Sequence, residues 1–161
     1  MRWKNDAGVT REVATGPGWR VAIADLATSG PFSTFPGIDR VLYLLEGPPV
    51  TLVVDGVATA MAPLDAVAFP GEATTSVLVD HGPTRDLNVM VERGIASVTH
   101  AVVELVGELV VADRARTLVH VVGGEASAGD ATARAGDSLL LSGGVIRAAA
   151  ARLVMLAIRP A

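Results

Sequence analysis

One short stretch of sequence occurs twice in this chain, and a repeated supersecondary unit must find the same structural setting twice. The first copy runs Ala58-Thr59-Ala60-Met61-Ala62, an acidic turn at Asp65, an apolar strand through Val67 and Phe69, and Gly71. The second runs Ala131-Thr132-Ala133-Arg134-Ala135, Gly136-Asp137, Leu139-Leu140-Leu141 and Gly143-Gly144. Each follows an apolar strand that ends in glycine: Val41 to Leu45 before Glu46-Gly47, and Leu118 to Val122 before Gly123-Gly124. Two similar lobes, residues 1–94 and 95–161, are therefore expected. The copies differ in chemistry. Most unusual polar and aromatic residues lie in or before the first, so function is expected in the N-terminal half.

The remaining sequence alternates strand and turn. Val50 to Val54, Asp55-Gly56 and Val57 to Ala62 form the clearest hairpin, because Asp-Gly readily takes the positive φ values of a type I′ turn. Trp19 to Ala24 and Val41 to Leu45 read as strands, the latter of the fully buried kind. Thr75 to Val79 and Asp86 to Val91 read as a strand pair around His81-Gly82-Pro83. Val98 to Val103 and Glu108 to Val111 read as two strands with a bend at Gly107, and Leu118 to Val122, Ala131 to Ala135, Ser138 to Leu141 and Leu153 to Ile158 follow. No window keeps helical periodicity for three turns. Short strands at roughly 8–12-residue spacing predict an all-β sandwich or barrel. Half of the 161 residues are hydrophobic but only 4% are aromatic, so Val, Leu, Ile and Ala must build the core, which suits β-sheet packing.

Composition also removes several function classes. A net charge of −4 without any Lys/Arg run lacks the electrostatic footprint of a nucleic-acid binder, so no nucleic-acid partner is expected. With no cysteine there is no disulfide, thiolate metal site or cysteine nucleophile. No charged-then-apolar leader opens the chain, and no run approaches the ~18 apolar residues of a membrane span. The expectation is a soluble, cytoplasmic protein with no membrane partner.

The repeated element, a Pro- or Gly-bearing turn with Asp, a short apolar strand and a Gly turn, resembles the middle of a cupin jelly roll, and two copies resemble a bicupin. Further segments sharpen the likeness: Trp3-Lys4-Asn5, Gly8-Val9-Thr10-Arg11-Glu12, Trp19-Arg20, Gly30-Pro31-Phe32-Ser33, Phe35-Pro36-Gly37, Asp39-Arg40, Leu44-Leu45-Glu46-Gly47, Phe69-Pro70-Gly71 and Arg85-Asp86-Leu87-Asn88-Val89-Met90. In this order they resemble the HutD/Ves family of bicupins over residues 3 to about 94; beyond that, the cupin-like repeat alone carries the match. Where the family writes three glycines after Trp-Lys-Asn, this chain has Asp6-Ala7-Gly8, losing backbone freedom and gaining an acid. The resemblance implies two cupin-like jelly-roll β-barrels and an accessory or regulatory role in histidine utilisation, sensing an acylated-glutamate-type intermediate.

The residues themselves narrow the chemistry. A transition-metal site needs three or four converging ligands, whereas the chain has three histidines, His81, His100 and His120, and no His-x-His pair. His81 reads as a turn residue and the others as strand residues, so no metal and no other cofactor are expected. Neither a Gly-x-Ser-x-Gly elbow nor a phosphate-binding loop is present. Cations beside apolar strands, namely Lys4, Arg20, Arg40 and Arg85, together with the neutral groups Asn5, Thr10, Ser33 and Asn88, would suit a small carboxylate in a barrel mouth. The competing reading pairs Asp39 with Arg40 and Arg85 with Asp86 on the surface. Glu46 reads either as an acid-base group or as a partner of Arg40. Trp3, Trp19, Phe32 and Phe35 read as core plugs or as the wall of a pocket.

The sequence therefore predicts a metal-independent bicupin that binds a small acidic metabolite through Lys4, Asn5, Thr10, Arg20, Ser33, Arg40, Glu46, Asp86 and Asn88. No catalytic residue is assigned. The alternative is a metal-independent isomerase or hydrolase with Glu46 or Asp86 as general base, and a homo-oligomer is left open.

Overall fold

The computed structural model describes residues 8–161, and every regular element among them is a strand. The chain divides into two compact units, Met1–Arg93 and Gly94–Ala161. The first holds β1 (Gly8–Gly16), β2 (Trp19–Leu26), β3 (Gly30–Pro31), β4 (Ile38–Glu46), β5 (Val50–Val54), β6 (Val57–Met61), β7 (Ala66–Pro70), β8 (Thr75–Leu78) and β9 (Thr84–Glu92). They form two antiparallel sheets, ordered β1-β2-β9-β4-β7 and β3-β8-β5-β6. Leu42, Leu44 and Phe69 from the larger sheet meet Val50, Leu52, Met61 and Val77 from the smaller in one core. Val41, Tyr43 and Leu45 of β4 are buried as well, which is why that strand reads as an unbroken apolar run.

The second unit holds β10 (Ala96–Val111), β11 (Arg116–Ala128), β12 (Ala131–Arg134), β13 (Ser138–Leu141) and β14 (Gly144–Pro160). Its sheet runs β10-β14-β11, and β11 pairs with β12 along one half and with β13 along the other. Leu105, Val119, Val121, Ile146 and Leu153 form its core. None of the described sheets closes on itself into a barrel.

Asp55 and Gly56 adopt φ values of 47° and 81°, as a type I′ turn requires. The acidic turn after each repeated strand is reproduced bond for bond. The Ala62 N–H donates to Asp65 Oδ2 at 2.9 Å, and the Arg134 N–H donates to Asp137 Oδ2 at 3.0 Å. The Leu64 N–H donates to the Leu44 carbonyl at 2.7 Å, and the Gly136 N–H donates to the Val121 carbonyl at 2.8 Å. Both residues sit at positive φ, 72° and 94°. Leu44 and Val121 are thus equivalent, and the register extends the equivalence. Arg40 lies opposite Phe69 as Thr117 lies opposite Leu141, and Tyr43 opposite Ala66 as His120 opposite Ser138.

Two expectations are corrected. Residues 75–79 and 86–91 do not pair with each other, since β8 lies between β3 and β5 while β9 lies between β2 and β4. The buried run Leu87, Val89 and Val91 favours a central position over the edge of a hairpin. Residues 98–103 and 108–111 belong to the single strand β10. Between Leu105 and Gly107 the register shifts, with β10 advancing two residues and β14 three, so the extra residue of the bulge lies in β14; Gly107 sits opposite its end at φ 97°, and the ladder continues beyond it.

Candidate functional site

Antiparallel register brings three polar side chains onto the inner face of the larger sheet of the first unit. Arg40 lies opposite Met90 and Phe69; Asn88 lies opposite Leu42 and Ala22; Asp86 lies opposite Leu44 and Ala24. Since strand side chains alternate with period two, all three share a face with the core residues Leu42, Leu44 and Phe69. They are 2%, 8% and 1% exposed respectively.

Arg40 is held in an aromatic box. Its guanidinium carbon is 5.3 Å from the ring centroids of Phe32 and Phe35 and 5.1 Å from that of Phe69. Desolvated contacts of this kind are worth about 2 kcal/mol or more. Nη1 donates a long hydrogen bond, 3.4 Å, to the Ser33 carbonyl, whereas Nε has no partner. Gly71 admits the third wall of the box, because a Cβ there would collide with the Phe35 carbonyl oxygen. The Phe35 N–H donates to the Gly71 carbonyl at 2.7 Å, fixing that loop beside Arg40.

Oδ1 of Asp86 and Oδ1 of Asn88 also lack hydrogen-bond partners. Arg20 Nε, in the same register row as Arg40, also makes no hydrogen bond, but it lies within ion-pair distance of Glu12, so the uncompensated costs on this face, about 1–3 kcal/mol each, fall on Arg40, Asp86 and Asn88. Burial pulls the Arg40 guanidinium down to about 10, with the negative charge of Asp86 opposing the change. Burial likewise pushes the Asp86 carboxyl up to about 7, against a hydrogen bond from the Ala24 backbone and the charge of Arg40.

The second unit provides an internal control. There Thr117 stands where Arg40 stands, and Leu141 replaces Phe69. Val119 and Val121 of β11 face Met155 and Leu153 of β14 as Leu42 and Leu44 of β4 face Asn88 and Asp86 of β9. Met155 and Leu153 therefore occupy the positions of Asn88 and Asp86, and both pack with the apolar core of that unit. The same strand frame is built with apolar side chains, so the polar trio is not a requirement of the fold.

Other expected residues fall around this cluster or away from it. Thr10, half-buried, shares a register row with Asp86, and Arg20, half-buried, shares one with Arg40. Arg20 Nε is 2.9 Å from Glu12 Oε2. Ser33 is exposed and contributes its carbonyl to Arg40. Glu46 is exposed and pairs with Arg85 at 2.9 Å, away from Arg40; Arg85 also holds Asp25 at 2.8 Å. Asp39 pairs with Arg93 at 2.6 Å. The sequence-adjacent pairs Asp39-Arg40 and Arg85-Asp86 do not form because the pleat sends neighbours to opposite faces. Lys4, Asn5 and Trp3 lie outside the described residues. Phe69 is a site residue that reasoning from sequence misses. Its signal was an aromatic where the second copy writes Leu141.

His81 and His100 are exposed, and His120 is buried with Nδ1 2.8 Å from Ser138 Oγ. No group of three or more His, Asp or Glu gathers to hold a metal among the described residues. Among the described residues no helix is long and apolar enough to cross a membrane.

Solved structures place this fold among known ones. A Cupin 2 conserved barrel domain protein from Leptotrichia buccalis superposes with TM-score 0.70 at 12% identity, over all of this chain and 92% of that one, a likeness of fold alone. HutD from Pseudomonas fluorescens superposes with TM-score 0.84 at 27% identity, and a conserved protein of unknown function from Pseudomonas aeruginosa with TM-score 0.87 at 28%. Both cover all of this chain and 93% of the other. An uncharacterised 21.2 kDa protein from the hutC 3′ region of Pseudomonas putida is 41% identical over 98 residues, 56% of this chain and 52% of that protein. Protein Ves of Escherichia fergusonii is 38% identical over 96 residues, 55% of this chain and 50% of that protein. The matches thus span about half the length of these curated relatives. The family model HutD matches residues 1–156, and the chain belongs to the HutD family.

Proposed function

We propose that this chain is a bicupin that binds a small carboxylate in its first lobe without a metal, as an accessory or regulatory factor in histidine utilisation. One observation carries the reading: Arg40, Asp86 and Asn88 are buried with unfilled hydrogen-bonding capacity, where the second unit closes the same positions with Thr117, Leu153 and Met155. Arg40 Nε and a neighbouring Nη present the planar fork that suits two carboxylate oxygens. Asn88 and Asp86 would select the remainder of the ligand, with Thr10 and Arg20 bordering the site. The link to histidine utilisation rests on the relatives named HutD and on the P. putida protein from the hutC 3′ region.

Titration calorimetry with formate and N-acetyl-L-glutamate tests the site. Arg40→Met keeps an elongated apolar side chain in the aromatic box, and loss of one buried charge is tolerated best where the other can be neutral, so the comparison is made near pH 5, where Asp86 is protonated. There the variant should remain folded while losing about 1.5–3 kcal/mol of binding, roughly tenfold to more than hundredfold in affinity. Equal affinity for both proteins, or no binding of either ligand at millimolar concentration, refutes the carboxylate site.

A second reading is favoured by one specific feature. A carboxyl near pH 7 in an apolar interior is tuned for proton transfer, so Asp86 could act as the general base of an isomerase or hydrolase on a small acid. Glu46 does not share that role here, being exposed and engaged by Arg85. Turnover of a bound carboxylate, lost in Asp86→Asn, would select this reading.

A further inference from the structure

Asp86 and Arg40 face the same interior without a direct ion pair, and each perturbs the other's charge. From β4, Arg40 favours the ionised form of Asp86; from β2, Asp25 disfavours it while itself engaging Arg85. Arg20 of β2 is held by Glu12 of β1, and Glu46 at the end of β4 is held by Arg85. Thr10 of β1 and Asn88 of the same strand are neutral. Arg40 is therefore the counter-charge on which an ionised Asp86 depends.

A carboxylate seated on Arg40 would neutralise that counter-charge and add a second negative charge to a low-dielectric interior. Two carboxylates confined together do not both stay ionised. We propose that binding of a carboxylate at Arg40 is coupled to uptake of one proton from solvent by Asp86, so that the loaded site holds a guanidinium cation, a ligand anion and a neutral Asp86 acid. Carboxylate plus proton gives carboxylic acid, and the new O–H supplies a donor to the ligand. The inference rests on the carboxylate reading above and adds regulation to it. Above the pH at which free Asp86 ionises, affinity should fall by about tenfold per pH unit, because each binding event must draw a proton.

Calorimetry with N-acetyl-L-glutamate and formate, in buffers of low and high ionisation enthalpy, measures the coupling. At about pH 8 the heats should differ between buffers by more than half a proton per ligand, and at about pH 5, where Asp86 is already protonated, by almost none. The Asp86→Asn variant should lose the buffer dependence. Carboxyl 13C NMR provides a measurement without ligand: in Arg40→Met, Asp86 should titrate at higher pH than in the wild type. Saturable binding with buffer-independent heat at about pH 8, or an Asp86 titration unmoved by Arg40→Met, overturns the coupling and leaves the carboxylate site standing. Absence of binding at every pH overturns the carboxylate site itself and the coupling with it.

Discussion

Replacing Asp86 with Asn should make the protein more stable at neutral and alkaline pH. The Asp86 carboxyl titrates near pH 7 in the folded chain, against about 3.9 in an unfolded one. The difference is about 3 pH units, and at about 1.4 kcal/mol each the ionised carboxylate costs roughly 4 kcal/mol of folding stability. The direction is opposite to that of a salt-bridged aspartate. Between about pH 4 and pH 7 the folded state holds the proton that the unfolded state has released, so stability falls as pH rises through this window and is level outside it. Asn keeps the shape, remains neutral, and retains an oxygen for the Ala24 N–H. Urea unfolding of both proteins across this range gives the difference curve, in which the other carboxylates largely cancel. The variant should match the wild type within about 1 kcal/mol near pH 4 and exceed it by several at about pH 8. Parallel curves would mean that Asp86 is solvated or paired in solution, and the desolvation argument would fail.

Asn88→Leu is close to isosteric and gives β9 the apolar character that Met155 provides in the second unit. Removing an unsatisfied buried carbonyl should stabilise the chain by about 1–2 kcal/mol in chemical denaturation while weakening carboxylate binding, and destabilisation would show that the amide is structural. Gly71→Ala should push away the loop that carries Phe35, because the added methyl meets the Phe35 carbonyl. The expected cost is about 1–3 kcal/mol of stability together with weaker ligand binding, and crystallography of the variant would show whether Phe35 has left Arg40.

The polar trio is where the two units differ in chemistry, whereas their turns are alike. In the second unit, stability and packing agree, since Leu153 is buried in the apolar core and half-buried Met155 packs against it. In the first, the same positions carry charge and amide at a cost to stability, a pattern that functional sites show when local rules are broken. Comparison of the two units thus separates what the frame needs from what the first unit carries beyond it.

The sequence by itself determined the features that depend on local backbone rules. Asp55-Gly56 dictated a type I′ hairpin because both positions require positive φ, and the two acidic turns repeated because Asp65 and Asp137 each bind the N–H three residues earlier. Alternation and the scarcity of helical periodicity determined an all-β chain. Arg40, Asp86 and Asn88 were legible as candidates through the family resemblance, and they do share one interior. Only the tertiary structure decided their company. Strand neighbours are chosen by nonlocal burial, so β9 was drawn between β2 and β4 rather than onto β8. That choice set Asp86 inside and Arg85 outside, gave Glu46 to Arg85, and gathered Phe32, Phe35 and Phe69 around Arg40 from segments up to 37 residues apart. No local pattern encodes such a meeting, because the pleat fixes only which neighbours alternate, whereas the face that becomes interior is fixed by the sheet packed against it.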